Sequence, residues 1–352
     1  MNAPSKKNST AAPLPALMAA GTFVVDYHKI LEHYPKERSG ARVMGEQVSN
    51  GGAPLNLLVN LAKLQVDFPL YAAAKVGQDL DGRYIIDCCN EHGIDVSQIT
   101  AVENASTGYT DVYTVENTGK HTCFHYCGIG DTFSRKDVKL RAVAPKILFL
   151  GSLGALGSMD QYSEEYGRSE AAQLIRDARK QNIITVIEIS PIDRVSSLEQ
   201  FKETLIQTDY LMINDRLAEA LTGREMYVEG LFDAEICRQV CQELLATGLR
   251  KGIIIHAAAG AAALNIDGDF HFQPGALLSA EMRRGTAGVD HAFAAGYLAG
   301  LYHDKPTDVC LTQGLAVAMA CRRDISPSNA VNSLDSCIVA YNQCQNFTSA
   351  KA

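Results

Sequence analysis

Apolar residues run almost without interruption from Leu17 to Val25, the pattern of a strand buried on both faces. Asn50-Gly51-Gly52 then opens a different rhythm. Leu55, Leu58, Val59, Ala62 and Val66 recur at helical spacing, and the polar, irregular residues 28–50 before them carry β-rich patches. Phe68 to Ala74 predicts a short strand, followed by a Gly/Asp loop (Gly77, Asp79, Asp81, Gly82) and a helix from Tyr84 to Glu91. Thr107 to Val115 and Lys120 to Tyr126 are rich in Thr, Tyr, Val and Phe. Glu116-Asn117-Thr118-Gly119 separates them, which predicts a hairpin. From there strands and helices alternate: strand Lys146 to Leu150, helix 164–181, strand Ile183 to Ile189, helix 197–206, strand Tyr210 to Ile213, helix 233–247 and strand Gly252 to His256. Residues 290–345 read as largely helical. A βαβα order of this kind implies a mainly parallel sheet with helices on both faces. The reading is one α/β domain over residues 15–345 with a small β-rich lid from about 28–50 and 105–128, a disordered tail at 1–14 and a short tail at 346–352.

Composition narrows the partners. With 352 residues, 47% hydrophobic and 20% charged, the chain has enough apolar material for one large core. A net charge of −8, with no basic run and no zinc-finger spacing, argues against nucleic acid. The ten cysteines are scattered without a CxxC, so neither a disulfide framework nor a metal site is expected, and the reading is a reducing cytosol. Lys6-Lys7 before Ala11 to Ala20 faintly resembles a signal peptide, but Pro13 and Pro15 interrupt the apolar stretch. No segment reaches the roughly 18 unbroken apolar residues of a membrane span.

Three segments carry candidate chemistry. In Gly51-Gly52-Ala53-Pro54-Leu55-Asn56 the glycines permit close backbone approach, and Asn56 offers a donor and an acceptor to hydroxyls; it also reads as a plain loop-to-helix junction. Gly151-Ser152-Leu153-Gly154-Ala155-Leu156-Gly157 follows a strand, but its spacing is wrong for GxGxxG and no Walker A motif exists, leaving a loop at the carboxyl edge of the sheet. In Arg284-Gly285-Thr286-Ala287-Gly288-Val289-Asp290-His291 small residues lead into a helix start suited to an anion. Asp290 or His291 there is either a general base or an ordinary helix cap.

Taken together these segments resemble the ribokinase-like (PfkB) carbohydrate kinases. Gly51-Gly52-Ala53-Pro54-Leu55-Asn56 is similar to the family's GGxxxN, whose glycines and Asn line the sugar site, and Asp26 matches the Asp that holds sugar hydroxyls. Val76-Gly77-Gln78-Asp79-Leu80-Asp81-Gly82 is similar to VGxDxxG, and Tyr210 to Asn214 resembles the strand that carries NxxE. His291 to Leu301 resembles the helix after GAGD. The resemblance spans residues 17–340 and implies a sugar substrate, ATP with Mg2+, and a homodimer formed through the lid. It also implies nucleotide contacts at Asn214 and, near the family's GxxG, at Gly260 within Ala257-Ala258-Ala259-Gly260.

The departures fall where phosphate is transferred. Without a gap, GAGD aligns on Gly288-Val289-Asp290-His291: Gly288 and Val289 begin the anion hole, Asp290 replaces its second glycine and His291 the catalytic Asp. A one-residue slip would restore Asp290 as the base, but helix registers resist insertion. The Glu of NxxE is Leu217. A carboxylate 4 Å from a phosphate charge costs roughly 4 kcal/mol at an effective dielectric of 20, which is on the order of several hundredfold in rate. The expectation is therefore a family relative whose phosphoryl transfer is weak or lost. The alternative is an active sugar or nucleoside kinase that uses His291 or Asp290 as base.

Overall fold

Alternation along buried strands divides the core in two. Leu17, Ala19, Ile147 and Phe149 face one apolar cluster, while Met18, Ala20, Leu148 and Leu150 face the other. These near-continuous apolar runs are what a sheet covered on both faces requires. A computed structural model describes residues 14–190, 198–276 and 278–349. In it nine strands form one sheet in the order Phe270–Pro274, Gly260–Asn265, Gly252–His256, Tyr210–Asn214, Ile184–Ile189, Ile147–Leu153, Leu17–Gly21, Leu70–Gly77 and Asp95–Val102. The seven strands from Gly252–His256 to Asp95–Val102 pair in parallel; the two at the other edge are antiparallel. Helices Ala53–Lys63, Val289–Tyr302 and Thr307–Cys321 pack on the first cluster, and Glu170–Arg179 and Ala234–Leu245 on the second.

Four strands form a separate small sheet in the order Val43–Gly51, Val24–Leu31, Gly108–Val115, His121–Tyr126. The predicted hairpin supplies two of them, antiparallel and in register from Tyr109 opposite Tyr126 to Thr114 opposite His121.

Several expectations change in detail. The single strand foreseen from Leu17 to Val25 is two: Leu17–Gly21 belongs to the large sheet, and Val24–Leu31 crosses to the small one. Both halves are buried, so the apolar run continues across the break. The helix foreseen over 164–181 is shorter, Glu170–Arg179, and starts where the Ser169 hydroxyl accepts from the amide of Ala172. The segment foreseen as helix 197–206 is a short 3-10 turn, Leu198–Phe201, and one helical turn, Lys202–Leu205; its first residue lies outside the described residues. The strands Asp95–Val102, Gly260–Asn265 and Phe270–Pro274 were not foreseen. The last helix reaches Ser349, past the expected boundary at 345. The tails expected over 1–14 and 346–352 otherwise fall outside the described residues, apart from Leu14.

Candidate active site

Open α/β sheets gather ligands at the carboxyl ends of their strands. Here Glu188 lies near the end of Ile184–Ile189, and Asn214 and His256 are the last residues of neighbouring paired strands. The helix Val289–Tyr302 starts at the same edge, and the small sheet faces it. Between them opens a cleft of about 1900 Å³. Asp26, Gly52, Asn56, Asn214, Gly288, Val289, Asp290 and His291 all line it, so the structure brings together most of the residues singled out above.

One wall is built around Asp26. It is buried, at 8% exposure, and burial pushes its carboxyl up to about 7, against the lowering effect of a hydrogen bond from Thr110 and the nearby His291. Gly51 packs against this carboxyl so closely that a Cβ there would overlap it. Gly52 adopts φ 81° as the residue before the helix Ala53–Lys63, and a Cβ on it would strike the carbonyl oxygen of Thr22. Close approach at the first position and left-handed backbone at the second are the reasons for the paired glycines.

From this wall runs a chain of polar side chains. Ser328 Oγ donates to Asn50 Oδ1 at 2.8 Å, and Asn50 Nδ2 donates to Asn56 Oδ1 at 2.6 Å. Asn56 Nδ2 lies 3.3 Å from His291 Nδ1, and His291 Nε2 lies 3.2 Å from Glu188 Oε1. Because Asn56 Oδ1 already accepts from Asn50, Asn56 presents N–H to the ring, and the chain is complete when Nδ1 accepts and Nε2–H donates to Glu188. Electrostatics pulls the other way. Burial disfavours the imidazolium, but Glu188, Asp290 and Asp26 together outweigh it and raise the pKa of His291 above its ordinary value. Protonating His291 sets two N–H groups against each other at Asn56.

The opposite wall is organised by Asp290. Asn214 Nδ2 donates to its Oδ2 at 2.9 Å, and its Oδ1 lies 3.8 Å from His256 Nδ1. Asn214 is itself the cap of the helix Asp215–Thr222, its Oδ1 accepting from the amide of Leu217 at 2.9 Å. His256 is buried and stacks on Phe293, with ring centroids 4.5 Å apart. Gly288, at φ 69°, immediately precedes Val289, the first residue of the helix. Asp290 thus addresses Asn214 and His256, and His291 addresses Asn56 and Glu188.

Gly260, expected on the nucleotide side, does not line the cleft. It starts the unforeseen antiparallel strand and packs beside Gln273 and Phe232, while Ala257 and Ala258 form the rim. Leu217, where a metal-organising Glu is expected, is buried and apolar in the lining. Among the described residues no group of three or more His, Cys, Asp and Glu side chains is arranged to hold a metal ion.

Sequence reasoning missed Glu188, His256, Asn50, Thr110 and Ser328. A signal existed for two of them: Glu188 in Ile184–Ile189 and His256 in Gly252–His256 are the single ionisable residues in largely apolar buried strands, positions such residues occupy only when paired.

A family model for pfkB family carbohydrate kinases matches residues 17–333. Among solved structures the chain is similar to ribokinase from Giardia lamblia, at 16% identity and a TM-score of 0.76, over 93% of this chain and 99% of that one. It is also similar to Arabidopsis thaliana ribokinase complexed with ribose and ATP, at 19% identity and a TM-score of 0.74, over 93% and 98%. A third is Burkholderia thailandensis nucleoside kinase in complex with inosine, at 13% identity and a TM-score of 0.70, over 93% and 98%. A comparison with curated proteins finds no match. The structural likeness establishes a ribokinase-like α/β fold, and the family model spans nearly all of that fold: this chain belongs to the pfkB family of carbohydrate kinases.

Proposed function

We propose that this protein binds a polyhydroxylated ligand, a sugar or a nucleoside, at Asp26 and Asn56, and that it transfers phosphate to it weakly or not at all. Hydroxyl recognition is supported by a buried carboxyl and a buried amide side by side in one cleft. The ligands of two similar proteins, ribose with ATP in one and inosine in the other, support the substrate class.

The observation that carries the second half is the 2.9 Å hydrogen bond from Asn214 Nδ2 to Asp290. Asn214 is the donor expected to meet phosphate, and the chain's own carboxylate already takes it. An arriving phosphate must displace that carboxylate and then bear its repulsion. Leu217 adds nothing to offset this, since an apolar side chain cannot orient a metal's water shell. A lid-mediated homodimer in the cytoplasm, implied by resemblance, completes the proposal; Val43, Met44 and Val48, each 47% exposed on the small sheet, are the apolar residues such a contact would cover.

The second reading is an active kinase with His291 as base. The Glu188–His291 pair favours it, because a carboxylate that orients an imidazole is how such bases are held. ADP release with ATP and Mg2+ across a panel of sugars and nucleosides separates the two. We expect turnover near background, and a rise in the combined variant Asp290→Gly, His291→Asp, Leu217→Glu. Brisk substrate-dependent turnover by the wild type would overturn the first reading.

A further inference from the structure

Helix Ala53–Lys63 carries Asn56, Asn60 and Lys63 at steps of four and three, so all three leave the same face. Two of them clamp one distant segment. Asn60 Nδ2 donates to the carbonyl of Pro327 at 3.2 Å, and Lys63 Nζ donates to the carbonyls of Ser328 at 2.7 Å and Asn329 at 3.2 Å. From the other side Pro327 packs against Gly288, where a Cβ would overlap it. Ser328 is therefore held in place behind the cleft wall, and its hydroxyl meets Asn50. Asn50, Asn56 and Ser328 are all buried, and among the described residues Asn50 and Ser328 do not line the cleft.

The side chains from Ser328 to Glu188 form a single file, so the polarity of any link fixes the polarity of the rest. Glu188 is the end that sets it. An ionised carboxylate only accepts, so a neutral His291 must place its one proton on Nε2. Nδ1 then accepts from Asn56, Asn56 accepts from Asn50, and Asn50 accepts from Ser328. Were the Asn56 amide reversed, its Oδ1 would face Nδ1 and favour a proton there. The ring would then be held doubly protonated between two acceptors, with no nitrogen free to take a proton.

We propose that Asn50, held by Ser328, is a positioning residue for His291: it turns the Asn56 amide so that N–H faces Nδ1, and so keeps an acceptor nitrogen beside the amide that meets ligand hydroxyls. Glu188, Asp290 and Asp26 face the same ring and favour its charged form; Asn50 works against them from behind the cleft wall. The use of that nitrogen on a ligand rests on the function proposed above, whereas its protonation is set within the protein alone.

Side-chain nitrogen NMR of the full chain without ligand reads the ring directly, and His291→Gln identifies its signals by their loss. In alkaline solution the wild-type ring should carry its proton on Nε2 and none on Nδ1; a proton on Nδ1 would overturn the proposal before any variant at Asn50 is made. Asn50→Leu removes the donor without adding charge and should raise the midpoint of His291 by about half a pH unit or more, the scale of one hydrogen bond. Asn50→Asp, acceptor-only in nearly the same shape, should raise it further, and Ser328→Ala should raise it less. Ser328→Thr keeps the hydroxyl and should return the wild-type midpoint. An unchanged midpoint in Asn50→Leu would sink the proposal. So would a rise confined to Asn50→Asp, because charge alone would then explain it, or identical midpoints in Ser328→Ala and Ser328→Thr. If replacements of the buried Asn50 fail to fold, the Ser328 pair and the wild-type ring still decide the matter. None of these measurements needs turnover, so ADP release judges the proposed function separately.

Discussion

Replacing Asp26 by Asn removes a buried titrating group and leaves its shape. The carboxyl rises from 3.8 to about 7 on folding, with burial as the main cause. Folding therefore favours its protonated form. The stability this contributes is fully present below pH 3.8 and is lost progressively as pH rises to about 7. At 1.36 kcal/mol per unit the whole span is worth about 4 kcal/mol, of which about 3 kcal/mol falls between pH 5 and pH 8. The amide does not titrate, so the variant should gain on the wild type by that amount across the interval. With an unfolding entropy of roughly 2.1 cal/mol/K per residue, this corresponds to a relative rise in Tm of about 4 °C. Thermal melts of both proteins between pH 5 and pH 8 measure the difference directly. Parallel curves would refute the reasoning, because they would mean that the Asp26 carboxylate is as well solvated in the fold as in the open chain. The Asp26→Asn variant should also bind hydroxylated ligands less well above pH 7, where it cannot supply a carboxylate.

Thr110→Val removes a hydrogen bond that favours the Asp26 carboxylate, so the pH-dependent loss of stability should move to higher pH in the same melts. Glu188→Gln should lower the pKa of His291, read from the ring resonances in an NMR titration; an unchanged midpoint would mean that Glu188 does not hold the imidazolium. Gly52→Ala forces a Cβ onto the carbonyl of Thr22 at φ 81° and should cost about 1–3 kcal/mol, seen as a lower urea midpoint without a change in slope.

Much of the fold was legible because buried parallel strands and covering helices leave different periods in the chain. Ile147–Leu153 and Gly252–His256 are apolar runs too short for helices, and Ala53–Lys63 repeats at helical spacing behind its glycines. Phe270–Pro274 was invisible for a physical reason. It sits at the sheet edge in the sequence Phe-His-Phe-Gln-Pro, half-buried from Phe270 to Gln273 and exposed at Pro274, with no run of aliphatics to mark it. Asp95–Val102, at the other edge, reads Asp-Val-Ser-Gln-Ile-Thr-Ala-Val and is equally mixed. Edge strands need bury only part of their surface, so selection on their composition is weak.

The site was legible as a set of residues and not as an arrangement. Asp290 and His291 are adjacent in a helix, and adjacent helical residues point about 100° apart. One of them must address the Asp26 wall and the other the Asn214 wall, whichever way the family's motif is aligned. The chain's order alone leaves that assignment open, because both residues are plausible bases. The fold decides it through partners far away in sequence: Asn56 and Glu188 take His291, while Asn214 and His256 take Asp290. Choosing the other alignment changes only which residue is compared with the family's Asp and leaves all four of these contacts in place. Double-mutant cycles would show this in energies. Glu188 should couple to His291 and Asn214 to Asp290, each by about 0.5 kcal/mol or more, while the crossed pairs should be additive. Coupling of Glu188 to Asp290 in place of His291 would overturn this assignment of partners.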